Sequence, residues 1–173
     1  MTVIVTGAAG FIGAHVAAAL LDRGESVVGI DNLNAYYDPA LKQARLHGLI
    51  GDRPGFRFAA ADFADQAQLA AAIAGIRADA IVHLGAQAGV RHSIEAPRDY
   101  GHSNLAGQLE MLELARRQAV RHFVYASSSS VYGDSASLPL SAEARTDRPL
   151  SLYAATKKAV SYTHLTLPTI YSV

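Results

Sequence analysis

A chain of 173 residues, half of them hydrophobic, is long enough for one core and short for more than one ordinary domain. Lys and Arg together equal Asp and Glu, 15 against 15, which argues against nucleic acid or an anionic membrane as partner and points to a small molecule. The absence of cysteine removes disulfides, thiolate catalysis and cysteine-based metal sites, and no metal site of any kind is expected. Met1 leads almost directly into an apolar strand and no run approaches membrane-spanning length, so a soluble, cytoplasmic protein without a leader is expected.

The β-branched run Val3-Ile4-Val5 predicts a buried strand, and His15 to Leu21 predicts a helix. Between them lies Thr6-Gly7-Ala8-Ala9-Gly10-Phe11-Ile12-Gly13. In that context Gly7 permits a sharp turn, Gly10 lets backbone approach a pyrophosphate, and Gly13 lets the helix pack closely on the strand. The helix N-terminus then offers free N–H groups to phosphates. Dinucleotide binding is therefore expected at this turn. Gly24 is placed to end the helix, and Ser26 to Ile30 is a second buried strand closed by Asp31. An acid about 20 residues beyond the glycines can accept from ribose hydroxyls and repel a 2′-phosphate, which favours NAD over NADP.

Asn32 to Ala40 should be a loop, with Pro39 interrupting any helix there, leading into a short helix over about 41–49. Phe56 to Ala60 predicts a third strand, followed by Asp62, placed to meet an adenine amino group, and by Phe63. Asp65 reads as the N-cap of a helix reaching about Ile76. Asp79 to His83 predicts a fourth strand, with His83 a packed core histidine. Leu84, Gly85, Ala86 and Gln87 follow, small enough as a group to let a ligand approach the backbone. A long helix from Arg98 to Gln118 should carry Leu105, Leu109, Leu112 and Ala115 inward, with Asn104 the polar exception, suited to orienting the cofactor loop. Arg121 to Ala126 predicts a fifth strand that delivers the run Ser127 to Ser130, a hydroxyl-rich edge. The alternation implies an α/β fold, a Rossmann-like doubly wound parallel sheet, with no internal repeat.

Tyr153 and Lys157 lie four apart on a predicted helix, hence on one face. A phenol with an ordinary pKa of ~10 is a poor base at neutral pH, and a nearby ammonium favours its ionised form. Together with the serine-bearing strand end and the glycine turn, the pair points to proton-transfer catalysis.

The segments Thr6 to Gly13, Asp31 to Asn34 with Tyr36-Tyr37-Asp38, His83 to Arg91, Ser127 to Gly133 and Ser151 to Lys158 resemble the nucleotide-sugar epimerases of the extended short-chain dehydrogenase/reductase superfamily, within it most closely the UDP-glucuronate 4-epimerases. That resemblance covers about residues 1–158. It implies an NAD site at Gly7, Gly10, Phe11, Ile12, Gly13, Asp31, Asn32, Asn34, Asp62, Phe63, Leu84, Gly85, Ala86, Gln87, Asn104, Tyr153 and Lys157. It implies Ser128, Tyr153 and Lys157 as catalytic residues, and Arg91, Ser129 and Ser130 as contacts to the substrate carboxylate. The implied reaction is 4-epimerisation of a UDP-sugar, UDP-glucuronate to UDP-galacturonate, through a 4-keto intermediate with hydride held transiently on bound NAD. A homodimer is implied for the full-length enzyme. Gly85 departs from the usual alanine of the family, a change expected to leave room for the cofactor. Other readings stay open: UDP-glucose 4-epimerase, dehydratase, uronate decarboxylase, or a non-catalytic NAD-binding module. Ser129 and Ser130 after Ser128 argue against the dehydratase, and Ser128, Tyr153 and Lys157 together argue against the module.

Residues 1–158 thus read as an incomplete NAD-binding domain, truncated before the last strands and the substrate domain. Residues 159–173 read as foreign: 161–169 lose helical periodicity, are rich in Thr and carry Pro168 where the helix should still run. Back-translated, 160–169 resemble a transposon-end sequencing adapter, so the fragment itself is expected to be inactive.

Overall fold

The computed structural model describes residues 1–134 and 138–161; the proposed foreign tail lies outside them from position 162 onward. The chain divides into two compact units, one of Met1–Gly85 with Leu109–Tyr125, the other of Ala86–Gln108 with the chain from Ala126.

In the first unit, β1 (Thr2–Thr6), β2 (Ser26–Asp31), β3 (Phe56–Ala60), β4 (Ala80–His83) and β5 (His122–Tyr125) form one parallel sheet in the order β3-β2-β1-β4-β5. Side chains alternate across the central strands, so each face builds its own core. On one face Ile4, Val28, Ile30 and Ile81 pack with Leu69 and Ala72 of α3 (Gln66–Ala72) and with Met111, Leu114 and Ala115. On the other, Val3, Val5 and Val27 pack with Ala17 of α1 (Phe11–Asp22) and with Ile50. Burial on both faces explains why these strands read as unbroken apolar runs. β5 is one edge of the sheet, and its Val124 is 55% exposed. Among the described residues no helix is long and apolar enough to cross a membrane.

Three local expectations shift. Pro39 opens α2 (Pro39–Arg45) instead of interrupting it, since proline at the first helical position gives up no hydrogen bond and Asp38 Oδ1 accepts from Ala40 N–H at 2.9 Å. A single wide π-type turn, Leu46–Ile50, continues it. Asp65 caps α3 as expected, accepting from Ala67 and Gln68 N–H, but the helix stops at Ala72, ahead of Gly75 at φ +73°. The largest shift concerns the long helix, which is α5 (Pro97–Tyr100), a π-type stretch Gly101–Ala106 and α6 (Gly107–Gln118), with α4 (His92–Glu95) before it. Leu105 and Leu109, expected inward, are 44% and 58% exposed, whereas Asn104, Gln108, Met111, Leu112 and Ala115 are buried. Two of the inward positions are amides, so the leucines trace the wrong stripe.

Candidate functional site

A candidate nucleotide site lies where β1 and β4 end side by side. The strand order reverses between them, and in such sheets the crevice outside the carboxyl ends is the ligand position. Thr6 pairs in register with His83. Their side chains meet as well, Thr6 Oγ1 to His83 Nδ1 at 2.7 Å, and Gly85 N–H donates to the same hydroxyl at 3.0 Å. His83 is buried and edge-on to Phe63, with ring centroids 5.0 Å apart, so it is the packed core histidine its strand predicted.

Gly7 stands at φ +67°, and a Cβ there would meet Gly85 N at 2.9 Å. At Gly13 a Cβ would stand 2.0 Å from Gly7 O, so α1 packs on the turn at a distance only glycine allows. Gly10 caps the helix, and its N–H donates to Gly7 O at 2.9 Å. Phe11 and Ile12 follow with exposed side chains, leaving the first turn of a twelve-residue helix open to an anion. A strand, a turn of glycines and alanines and a helix N-terminus fit a pyrophosphate.

The glycine at position 85 has more consequence than its size suggests. A Cβ there would lie 2.5 Å from Phe63 Cε1, on a buried ring already held against His83. Gly85→Ala should therefore destabilise the fold by about 1–3 kcal/mol, and Phe63→Leu in the same chain should recover most of the loss. Denaturant midpoints of the two single variants and the double variant measure this. Strict additivity would mean the two positions do not share the space.

Asp31 is buried at the end of β2. Its Oδ2 accepts from Ala9 N–H at 3.2 Å, its Oδ1 from Leu33 N–H at 2.9 Å, and Lys42 Nζ lies 3.4 Å from Oδ1. Asn32 Nδ2 reaches Asp62 Oδ2 at 3.5 Å, and Asn34 Oδ1 accepts from Lys42 Nζ at 3.0 Å. Asp62 also accepts from Ala64 N–H, which orders the turn after β3. Leu84 is half-buried at the head of the loop after β4. Lys42 was missed by sequence reasoning, because a single lysine on a seven-residue helix carries no pattern.

The second unit holds the remaining residues. Gln87 N–H donates to Asn104 Oδ1 at 2.8 Å, and Asn104 Nδ2 donates to Gln87 O at 3.0 Å and to Thr156 Oγ1 at 3.1 Å. This buried amide grips the loop that begins at Ala86. Tyr100, also missed, is wholly buried, its hydroxyl 2.5 Å from Ala88 O and 2.6 Å from Gly89 O, its ring edge-on to Tyr153 at 6.1 Å. Gln87 Nε2 is buried without a partner among the described residues, a polar atom suited to a bound group.

Ser128 caps the 3-10 turn Ser129–Tyr132 through Oγ, which accepts from Ser130 N–H at 3.1 Å and keeps its own hydrogen to donate. Ser129 is exposed, as is Arg91 just before α4. Tyr153 and Lys157 lie one turn apart on α7 (Leu152–Ser161), whose first turn Ser151 Oγ caps at Ala154 N–H. α7 thus runs three residues into the segment expected to be foreign. Lys157 is buried and donates to Ala126 O at 3.0 Å.

Burial lowers the Lys157 ammonium from 10.5 to about 8, so it remains a cation at neutral pH. Between those values the unfolded chain holds a proton that the folded chain has released. Stability should therefore rise with pH across that window, by about 3 kcal/mol in full. Lys157→Met should flatten the rise in a pH series of denaturant unfolding; an unchanged slope would mean that the buried ammonium is not its source.

A doubly wound sheet with a glycine turn at its switch point, and a Ser, Tyr and Lys set on a separate unit, defines a nucleotide-binding α/β protein with acid–base groups. Residues 3–166 match the NAD dependent epimerase/dehydratase family, and the chain belongs to it. NAD, expected from the glycine turn and Asp31, is accordingly the cofactor of the family. A probable UDP-glucuronate 4-epimerase of Rhizobium meliloti is 45% identical over 170 residues, covering 95% of this chain and 50% of that protein. UDP-glucuronate 4-epimerase 3 of Arabidopsis thaliana is 49% identical over 159 residues, covering 91% of this chain and 36% of that one. Among solved structures, the UDP-glucuronic acid 4-epimerase of Bacillus cereus in complex with UDP-4-deoxy-4-fluoro-glucuronic acid and NAD has a TM-score of 0.80 at 32% identity, with 94% of this chain and 50% of that chain covered. The chain spans about half the length, or less, of the relatives it matches.

Proposed function

We propose that this chain is the nucleotide-binding part of an enzyme that epimerises UDP-glucuronate at C4 to UDP-galacturonate. The observation that carries the reading is the set on the second unit: a capping serine with a hydrogen to donate, a half-buried phenol, and a buried ammonium one turn beyond it. The identity with UDP-glucuronate 4-epimerases supports the choice of sugar.

Gly7, Gly10 and Gly13 with the first turn of α1 would hold the pyrophosphate and Asp31 the adenosine ribose; on the second unit Asn104 orients Gln87. Bound NAD supplies a hydride acceptor that returns what it takes. Tyr153 accepts the proton of the sugar 4-hydroxyl, and Ser128 Oγ–H donates to the same oxygen. Lys157 places positive charge beside the phenol as that proton moves. Because the oxygen is deprotonated and later reprotonated at one place, the same tyrosine serves both directions. Arg91, Ser129 and Ser130 offer a guanidinium and hydroxyls to the uronate carboxylate, holding it away from the geometry in which carbon dioxide leaves.

The test is incubation of the protein, extended to the length of its relatives, with UDP-glucuronate and NAD, followed by separation of the products. UDP-galacturonate as the main product is expected. Release of carbon dioxide would replace epimerisation by decarboxylation, and turnover of UDP-glucose alone would move the assignment to a neutral sugar. The 173-residue chain by itself is expected to show no turnover.

A further inference from the structure

The acid that distinguishes NAD from NADP does not stand alone. Asp31 is 7% exposed and Lys42 5%, so the charges of both are little screened by solvent. Lys42 Nζ reaches Asp31 Oδ1 at 3.4 Å and Asn34 Oδ1 at 3.0 Å, and lies 5.0 Å from the centre of the Tyr37 ring. Arg45, three residues along α2, places its guanidinium 5.5 Å from the same ring and 5.8 Å from that of Phe11, at the first turn of α1, and donates to Tyr37 Oη at 3.1 Å. The other acid nearby, Asp62, is 3.5 Å from Asn32 Nδ2. Beside α2, then, the ribose acid is balanced by one buried cation and followed by a second.

We infer that Lys42 is a specificity-determining residue, which neutralises Asp31 and sets how strongly the adenosine end of the site rejects a 2′-phosphate. This rests on the cofactor reading above. An unpaired carboxylate repels the phosphate by charge, whereas a neutral pair rejects it only through lost hydrogen bonds and lack of room. Removing the acid alone leaves a buried ammonium next to the place the 2′-phosphate would take.

Calorimetric titration of NAD and NADP into the protein tests this, read as the ratio of the two dissociation constants. In the unmutated protein the ratio should change less than about threefold between low and high salt, because a neutral pair gives little for salt to screen. Asp31→Asn should lower the ratio, in favour of NADP, by about tenfold or more. Asp31→Asn with Lys42→Gln should raise it back by about the same factor, and Asp31→Asn with Lys42→Arg should keep it low. A purely structural role for Lys42 would not separate the last two. Equal ratios in Asp31→Asn and in its Lys42→Gln double variant would overturn the inference, as would a ratio that falls steeply with salt in the unmutated protein. Lys42→Gln with Asp31 retained keeps the test open if the buried lysine, left unpaired, prevents folding: with the carboxylate no longer neutralised the ratio should rise, and an unchanged ratio would overturn the inference. Loss of NAD itself from the unmutated protein would overturn the cofactor reading as well, whereas NAD bound with the wrong ratio overturns only the pairing.

Discussion

Tyr153→Phe, in the protein extended to the length of its relatives, should lower turnover of UDP-glucuronate by about 10²-fold or more and change NAD affinity by less than about threefold. The substitution removes one oxygen and leaves the ring. That ring is edge-on to Tyr100 at 6.1 Å and 79°, and Tyr100 is held by Ala88 O and Gly89 O, so the phenylalanine keeps the same seat. Ser128 and Lys157 also stay where they are, because neither is hydrogen-bonded through the tyrosine hydroxyl: Ser128 accepts from Ser130, and Lys157 donates to Ala126. The loss should fall on proton transfer rather than on folding or binding. Near-normal turnover would remove Tyr153 from the mechanism.

Gly13→Ala should destabilise the fold by about 3 kcal/mol and abolish measurable NAD binding. Its added methyl would stand 2.0 Å from Gly7 O, 2.7 Å from Gly7 C and 3.1 Å from Ala8 Cα, all backbone, so no rotamer change relieves the clash. Either the turn opens or α1 lifts from the strand, and both deform the glycine turn proposed to hold the pyrophosphate. Gly24→Ala is the control. Nothing lies within 4 Å of that position, and only its φ of +78° opposes a side chain, which costs about 1 kcal/mol. Unfolding midpoints and NAD titration of both variants measure the contrast; a Gly13 variant no weaker than the Gly24 variant would mean that the turn is not close-packed in solution.

The elements that formed where local pattern placed them are those whose signal is covalent or nearest-neighbour. The strands Thr2–Thr6, Ser26–Asp31 and Ala80–His83 are apolar runs and Phe56–Ala60 an alternating one, all bounded by turn residues, and Asp65 and Gly24 act within a few residues of themselves. Of the candidate site, the glycine turn and the Tyr153–Lys157 spacing were legible for the same reason: each is a short-range constraint, one on backbone angles and one on helix phase.

What the sequence by itself determined was the alternation of strands and helices, the glycine turn at its head and the chemical types in the site. Only the tertiary structure decided which neighbours those residues meet. Lys42 neutralises Asp31 because α2 brings an inward lysine to the end of β2. Gly85 leaves the space that Phe63 fills because β4 and the turn after β3 meet there. Leu105 and Leu109 face outward because a π-type turn and two buried amides fix the phase of the helix that follows. Each is a contact between residues distant along the chain, and hydrophobic periodicity carries no record of such pairs: it reports which side of an element is apolar, not what stands opposite.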